Sequence, residues 1–392
     1  MSSHYDVIII GSGIVGLTLA ALLQKNNFIT AIVESKSPEK QSDTLTARVS
    51  AIHRHSQQLL TYLDVWKNIP EKLRALLNHM FIWDHAQNTI DFDNDGEPIA
   101  WIVNNHAISE ALLEKYHGDY FCPDAPVHFS QNTLTLRSGK KLTADIIVGA
   151  DGADSWVRRQ MPITMKTRSY EQKSIIAVIE TEQPHQHCAY QKFLTTGPVA
   201  LLPLSHPHHT ALVWSADDAV SDQLMRESDQ VFSESLTKAL DCRLGNLTSI
   251  SPRSQFPLVM RHVKEYAYDR FVLAGDAAHT IHPLAGLGVN LGLMDVACLT
   301  QVLCDARLLK KPLYDQLALR KYTRWRKAEN TGTLLAMRGL QTFFALDSKM
   351  FNAIRGLGLT VIDRCASIKE CLMTCAMGSD CELPMYLKET QR

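Results

Sequence analysis

Two glycine clusters far apart in the chain carry residues suited to binding a nucleotide: GSGIVG, from Gly11 to Gly16, and GDAAHTIHPLAGLGVNLG, from Gly275 to Gly292. The first has the spacing G-x-G-x-x-G. In that pattern Gly11 permits a tight turn, Gly13 lets backbone N–H groups approach a pyrophosphate, and Gly16 lets a helix pack closely on a strand, with Ile14 and Val15 completing the loop. A helix opening here sets about half a positive charge against the anion. Glu34 closes the next strand, where its carboxylate can accept both hydroxyl hydrogens of an adenosine ribose. These residues specify a dinucleotide and leave FAD and NAD both open.

The second cluster separates the two. Asp276 follows Gly275 at a strand end, where a carboxylate can bind the hydroxyls of an extended polyol chain. Pro283, Gly286, Leu287 and Gly288 form a loop whose backbone can approach a flat ring, and Val289 and Asn290 open a helix. A second helix N-terminus aimed at the far end of one dinucleotide would stabilise negative charge on a reduced ring. Both loops then serve one ligand. The first holds adenosine and pyrophosphate, and the second holds ribityl and isoalloxazine, which NAD does not require.

The elements that must position these loops follow from hydrophobic pattern. YDVIIIG (Tyr5 to Gly11) reads as a buried parallel strand, GIVGLTLAALLQKNN as a helix of small and apolar residues, and FITAIVE (Phe28 to Glu34) as a second strand, giving a βαβ unit. SAIHRHSQQLLTYL (Ser50 to Leu63) and the surroundings of Glu71 to Leu77 look helical. FIWDHAQNTIDFD reads as two strands around a turn. ADIIVGADG (Ala144 to Gly152) and RFVLAGD (Arg270 to Asp276) are further buried strands ending in Gly or Gly-Asp. From about Met165 to Arg253 short strands alternate with turns, apart from one helix near Asp222 to Leu240. The expected fold class is α/β: a Rossmann-like FAD-binding domain (1–70, 102–162 and 254–304), an inserted antiparallel-sheet substrate domain (71–101 and 163–253), and a helical C-terminal region (305–392).

Composition narrows the function classes. The chain has 392 residues, 45% apolar and 21% charged, which suits a globular protein with a substantial core. Its formal charge of −1 offers no global field for nucleic acid or an anionic bilayer. Nine cysteines, an odd number, with no signal peptide, favour reduced thiols in a cytoplasmic setting. Cys365, Cys371, Cys375 and Cys381 lack the paired spacing of common zinc sites, and no metal is expected. His206, His208 and His209, with His185 and His187, fall in polar loops without carboxylate partners and read as solvated. No uninterrupted apolar run approaches the ~18 residues of a membrane span.

With these motifs in hand, the sequence resembles the FAD-dependent aromatic hydroxylases related to p-hydroxybenzoate hydroxylase. The resemblance rests on GSGIVG with Glu34, ARVSAI with Arg48, GADGADSWVR with Asp151 and Gly152, and GDAAHTIHPLAGLGVNLGLMD. YQKFLTTGPVALLPL, the LVW after it and the HPLAGLGVNLGLMDV run are similar to the ubiquinone-biosynthesis ring hydroxylases, in order from about Tyr5 to Ala328. The resemblance implies that Arg48 contacts FAD and that Asp151 and Gly152 lie near the pyrophosphate and a nicotinamide donor; on their own these residues read equally as a surface charge and a turn. It implies hydroxylation of a hydrophobic phenolic ring, a (polyprenyl) phenol of ubiquinone biosynthesis, through a flavin C4a-hydroperoxide, with FAD as cofactor, O2 as co-substrate and NAD(P)H or another reductant as electron donor. His282 and Pro283 would sit near the reacting ring, His282 either bonding the phenol or capping the loop.

Two departures stand out. Leu287 occupies the place where relatives usually carry Gln, and Asn104-Asn105 stands where many read Glu-Asn. Rival readings are a same-fold monooxygenase for a soluble aromatic or secondary metabolite, and a non-catalytic FAD-fold subunit that scaffolds other ubiquinone-biosynthesis proteins. The basic stretch from Arg307 to Lys327, followed by the apolar stripe LLAMRGLQTFFAL (Leu334 to Leu346), is either a peripheral membrane contact on the inner face or a charged helix face with a packed helix. Association with a second copy is left open.

Overall fold

The β-branched run of the strand His4–Ile10 is buried nearly throughout because strands cover both of its edges and helices cover its faces. It pairs in parallel with Lys141–Gly149 on one side and Thr30–Val33 on the other. The sheet continues in parallel to Phe271–Leu273 and Asp119–Phe121, with Ala267–Tyr268, Pro126–Ser130 and Thr133–Leu136 added antiparallel. The computed structural model describes residues 4–37, 46–84, 88–94, 96–280, 288–345 and 383–389, with 333–345 as backbone.

Helices Ile14–Lys25 and Gly288–Leu308 pack against each other beside this sheet, so the two glycine clusters meet. A Cβ on Gly16 would lie 2.1 Å from the Gly11 carbonyl oxygen, which is why the first helix can start so close to the strand. Gly292 and Gly275 both receive Val15: a Cβ on Gly292 would come within 2.6 Å of Val15 Cγ2, and one on Gly275 within 3.2 Å. Helix Gly288–Leu308 is long and apolar enough to cross a membrane by length and composition, but 78% of that window is buried within the protein. It is a core helix.

A second, nine-stranded sheet runs His279–Thr280, Ser254–Val263, Met165–Thr181, His209–Asp217, Gly197–Pro203, Cys188–Leu194, His79–Asp84 and Thr89–Asp93, with Leu247–Ser249 beside Met165–Thr181. Pairing is antiparallel except between Cys188–Leu194 and His79–Asp84. Strand alternation gives the sheet two faces. Ile175, Val199, Leu201, Leu212 and Trp214 pack under helices Asp218–Arg226 and Asp229–Ala239, while Ala189, Leu202 and Ala211 face a small sheet of Val49–His53, Ala100–Asn104 and Arg74–Leu77.

Four local expectations change. Val49–His53 is a strand, and the helix begins at Arg54; the short apolar run SAIH fits either state until Ala100–Asn104 pairs with it. Only a 3-10 turn forms at Glu71–Leu73, and Arg74–Leu77 is a strand on that same neighbour. The helix expected near Asp222 to Leu240 is two helices, broken where Ser228 caps the second by accepting from Val231 N at 3.3 Å. The antiparallel sheet also extends past the division expected at residue 253, because Ser254–Val263 pairs with Met165–Thr181.

Candidate functional site

Glu34 leaves the second strand with its carboxylate turned back onto the glycine loop. Oε2 accepts from Ser12 N at 2.8 Å and Ser12 Oγ at 3.1 Å, and Oε1 accepts from Lys36 N at 2.9 Å. Partial burial pushes its pKa up, but these donors outweigh that and leave it below the ordinary value, so the group is anionic at neutral pH. Ser12, which the sequence reading did not single out, thus ties the loop to the acidic residue. Gly11 adopts φ +101°, and a Cβ there would lie 2.4 Å from the Ala150 carbonyl oxygen, whereas a Cβ on Gly13, Gly152 or Gly288 would meet nothing within 4 Å. The latter three border open space.

Asp151 follows the strand Lys141–Gly149 and caps the short helix Trp156–Arg159, its Oδ2 accepting from Trp156 N at 2.6 Å and Val157 N at 3.2 Å. Its Oδ1 is buried without a partner. Burial raises its pKa in spite of these bonds. Arg158, from the same motif, donates to the Ala277 carbonyl at 2.9 Å and so joins it to the Gly275–Asp276 turn. The Asp276 carboxylate makes no hydrogen bond or ion pair among the described residues. Its residue is solvent-accessible, yet protein surrounds the recess it occupies, and this desolvation moves its pKa upward.

Behind the turn lies a buried polar network. Asp295, fully buried, accepts from Gly275 N at 2.9 Å and His279 Nε2 at 2.6 Å through Oδ2, and from Arg326 Nε at 2.8 Å and Asn330 Nδ2 at 3.1 Å through Oδ1. Burial opposes its charge, but His279 and Arg326 hold the carboxyl well below the usual range. Asn330 also donates to the Tyr266 hydroxyl at 3.1 Å, which meets His262 Nε2 at 3.0 Å. Helix Gln316–Ala345 therefore fixes the backbone of the Gly275 turn through one carboxylate. The available signal was a lone acid inside the apolar run GLMDVACL.

The other predicted residues fall as follows. Ile14 and Val15 pack partly buried on the core, and Val289 does the same. Asn290 is buried, with Nδ2 donating to Ala51 O at 2.7 Å and Oδ1 accepting from His53 N at 3.2 Å; its amide fastens the helix to the strand Val49–His53. His282, Pro283, Gly286 and Leu287 lie outside the described residues, as do Cys365, Cys371, Cys375, Cys381 and the side chains of the Leu334 to Leu346 stripe. Arg48 is exposed and borders a cavity of about 430 Å³ between the small sheet and the nine-stranded sheet. Asn105, singled out in the sequence only as part of a departure from the family, lines the same cavity with a buried Oδ1 that has no partner.

Among the described residues no cluster of His, Cys, Asp or Glu is arranged to hold a metal. His185 instead bonds the Leu204 and His206 carbonyls at 3.0 and 3.1 Å, and His208 bonds the Thr181 carbonyl at 2.8 Å. These histidines tie hairpins together.

The donor set fits FAD. Anionic Glu34 suits ribose hydroxyls, the open faces of Gly13, Gly152 and Gly288 leave room for an extended ligand, and Asp276 is available for a polyol. Comparison with known proteins agrees. The FAD binding domain family matches residues 4–311. The chain is 30% identical over 432 residues to the Drosophila melanogaster protein named ubiquinone biosynthesis monooxygenase COQ6, mitochondrial, covering 96% of this chain and 90% of that one. It is 30% identical over 396 residues to the Escherichia coli 3-demethoxyubiquinol 3-hydroxylase, covering 95% and 98%. Among solved structures, Pseudomonas aeruginosa PqsL in complex with 2-aminobenzoylacetate superposes with a TM-score of 0.75 at 20% identity, covering 88% of this chain and 97% of that one, a likeness of fold. With the family match spanning residues 4–311 and both relatives matched over nearly their whole length, the chain belongs to the FAD binding domain family and is an FAD-dependent monooxygenase.

Proposed function

We propose that the chain hydroxylates the aromatic ring of a polyprenyl phenol in ubiquinone biosynthesis, with the parallel-sheet unit holding FAD and the nine-stranded sheet presenting the substrate. The observation that carries this is the cavity: Arg48 is the one charged residue among those lining it, and Ala200, Leu202, Val213 and Ile176 give it an apolar wall. Such a wall suits a ring with an isoprenoid tail. Names of the relatives, which act in ubiquinone biosynthesis or on demethoxyubiquinol, support the same class.

FAD, when bound, supplies the redox and oxygen chemistry. The chain's own work is to place and enclose. Glu34 and the Gly13 face hold the adenosine end, Asp276 and the helix beginning at Gly288 hold the other, and the cavity wall positions the ring and excludes water. Asp151 and Gly152 follow the neighbouring strand Lys141–Gly149, and the open face of Gly152 is the side from which a nicotinamide donor would approach.

A polyprenyl substrate resides in a bilayer, and we assign the contact to the turn after the core helix. Leu308, Leu309 and Leu317 are 85%, 66% and 66% exposed, beside Lys310, Lys311, Arg320 and Arg324. Exposed leucines among cations suit an anionic surface. Replacing Leu308 and Leu309 with Ser should abolish sedimentation with vesicles containing phosphatidylglycerol; undiminished sedimentation overturns this contact. The activity itself is tested in a hydroxylase-deficient strain. Restored ubiquinone synthesis is the expected result, and the precursor that accumulates without the gene names the carbon by its missing oxygen. No restoration, together with turnover of soluble aromatic acids, would overturn the reading.

A further inference from the structure

Two serines sit side by side on the cavity face of the nine-stranded sheet. Ser215 lines the cavity. Ser174 is its register partner on the adjacent strand, and on its other side Ser174 pairs with Phe256, which also lines the cavity. Alternation places Ser174 on the same face as Ile176, a further lining residue. Ser174 and Ser215 are 0% and 1% exposed. The Ser174 hydroxyl has no hydrogen-bond partner among the described residues.

A buried hydroxyl left unpaired is unfavourable, and the protein has placed one beside a second on the sheet face that carries Ile176 and Val213 as well as the polar Gln191 and Ser254. A serine hydroxyl can both donate and accept, so an adjacent pair can do both toward one ligand oxygen that itself carries a hydrogen. We propose that Ser174 and Ser215 hydrogen-bond the phenolic hydroxyl of the substrate and make the cavity selective for a ring whose hydroxyl is free over the same ring alkylated at that oxygen. This rests on the reading of the cavity as the substrate's place. Arg48 and Asn105, on the opposite wall, remain free to face the cofactor. The selectivity arises because an ether occupying the same position accepts a bond but has no hydrogen to give, leaving one serine unsatisfied.

The test uses the flavin-loaded full chain with 2-geranylphenol and its O-methyl ether, measured by equilibrium binding, on wild type, Ser174→Ala, Ser215→Ala and the double variant. In wild type the phenol should bind about three- to tenfold more tightly than the ether, the range of one neutral hydrogen bond. Each single substitution should weaken phenol binding by a similar factor, leave ether binding within about twofold, and collapse the ratio toward one. Ser174→Ala should also leave the ligand-free melting temperature unchanged or raised, since it removes an unsatisfied hydroxyl, which separates a binding role from a structural one. Equal binding of phenol and ether by wild type overturns the serine assignment while the polyprenyl-phenol reading stands. Equal loss for both ligands in the variants, or a lowered ligand-free melting temperature in Ser174→Ala, overturns it as well. Wild type binding neither ligand overturns both.

Discussion

Replacing Asp295 with Asn tests whether the buried network holds the Gly275 turn. Four donors converge on the two carboxylate oxygens, from Gly275, His279, Arg326 and Asn330. An amide offers one oxygen and one NH2, so whichever way it turns, one pair of donors meets an N–H instead of an acceptor. Arg326, 0% exposed, keeps a charge that burial disfavours and that Asp295 chiefly, with smaller help from Cys298 and Glu329, brings above its ordinary pKa. Breaking such a pair costs about 3–5 kcal/mol. That is a large part of the ~5–15 kcal/mol of a typical domain. Urea unfolding of the flavin-loaded protein should show that loss, and flavin retention should fall because Gly275 N–H loses its anchor. Pairing the change with Arg326→Met should recover part of it, since the stranded charge is then gone. A single variant that loses under about 1 kcal/mol and keeps its flavin would refute the reasoning.

Further outcomes follow from single residues. Burial lowers the His53 pKa to about 3, with His55 adding to the effect. The unfolded state then takes up a proton below about pH 6.5 that the folded state refuses, so this stability is complete above that pH and is lost as pH falls toward 3. By pH 5 the loss is about 2 kcal/mol, and His53→Gln should flatten the unfolding profile over that window. Glu34→Gln keeps the shape but removes the charge, which should weaken FAD binding about tenfold, read by flavin fluorescence on titration of the apoprotein. Gly16→Ala forces a methyl against the Gly11 carbonyl, and should cost about 1–3 kcal/mol in denaturant and lower flavin content after purification. Unchanged values in any of these would remove the role given to that residue.

What the sequence made legible was whatever is encoded locally. GSGIVG, Glu34 and the Gly275-Asp276 pair announce themselves by fixed spacing next to strands, and the buried strands of the parallel sheet by continuous β-branched runs. Short apolar stretches such as SAIH and RALL were not legible, because a few apolar residues fit helix or strand until a partner is known; here the partner is Ala100–Asn104. The Asp295 network was out of reach for a different reason. Its members come from four separate segments, and only their packing makes a carboxylate inside an apolar helix intelligible. The cavity serines are silent for the same cause, since their adjacency is a matter of strand register.

Val15 stands between Gly275 and Gly292, touching the places where either would carry a side chain. A single isopropyl group thus acts as a spacer between the two arms of the cofactor cradle. Anyone redesigning the gap for a bulkier or slimmer cofactor has to vary positions 15, 275 and 292 as a set. Libraries that randomise all three together should return combinations of nearly constant summed volume, and libraries that change one position at a time should return almost none that still turn yellow.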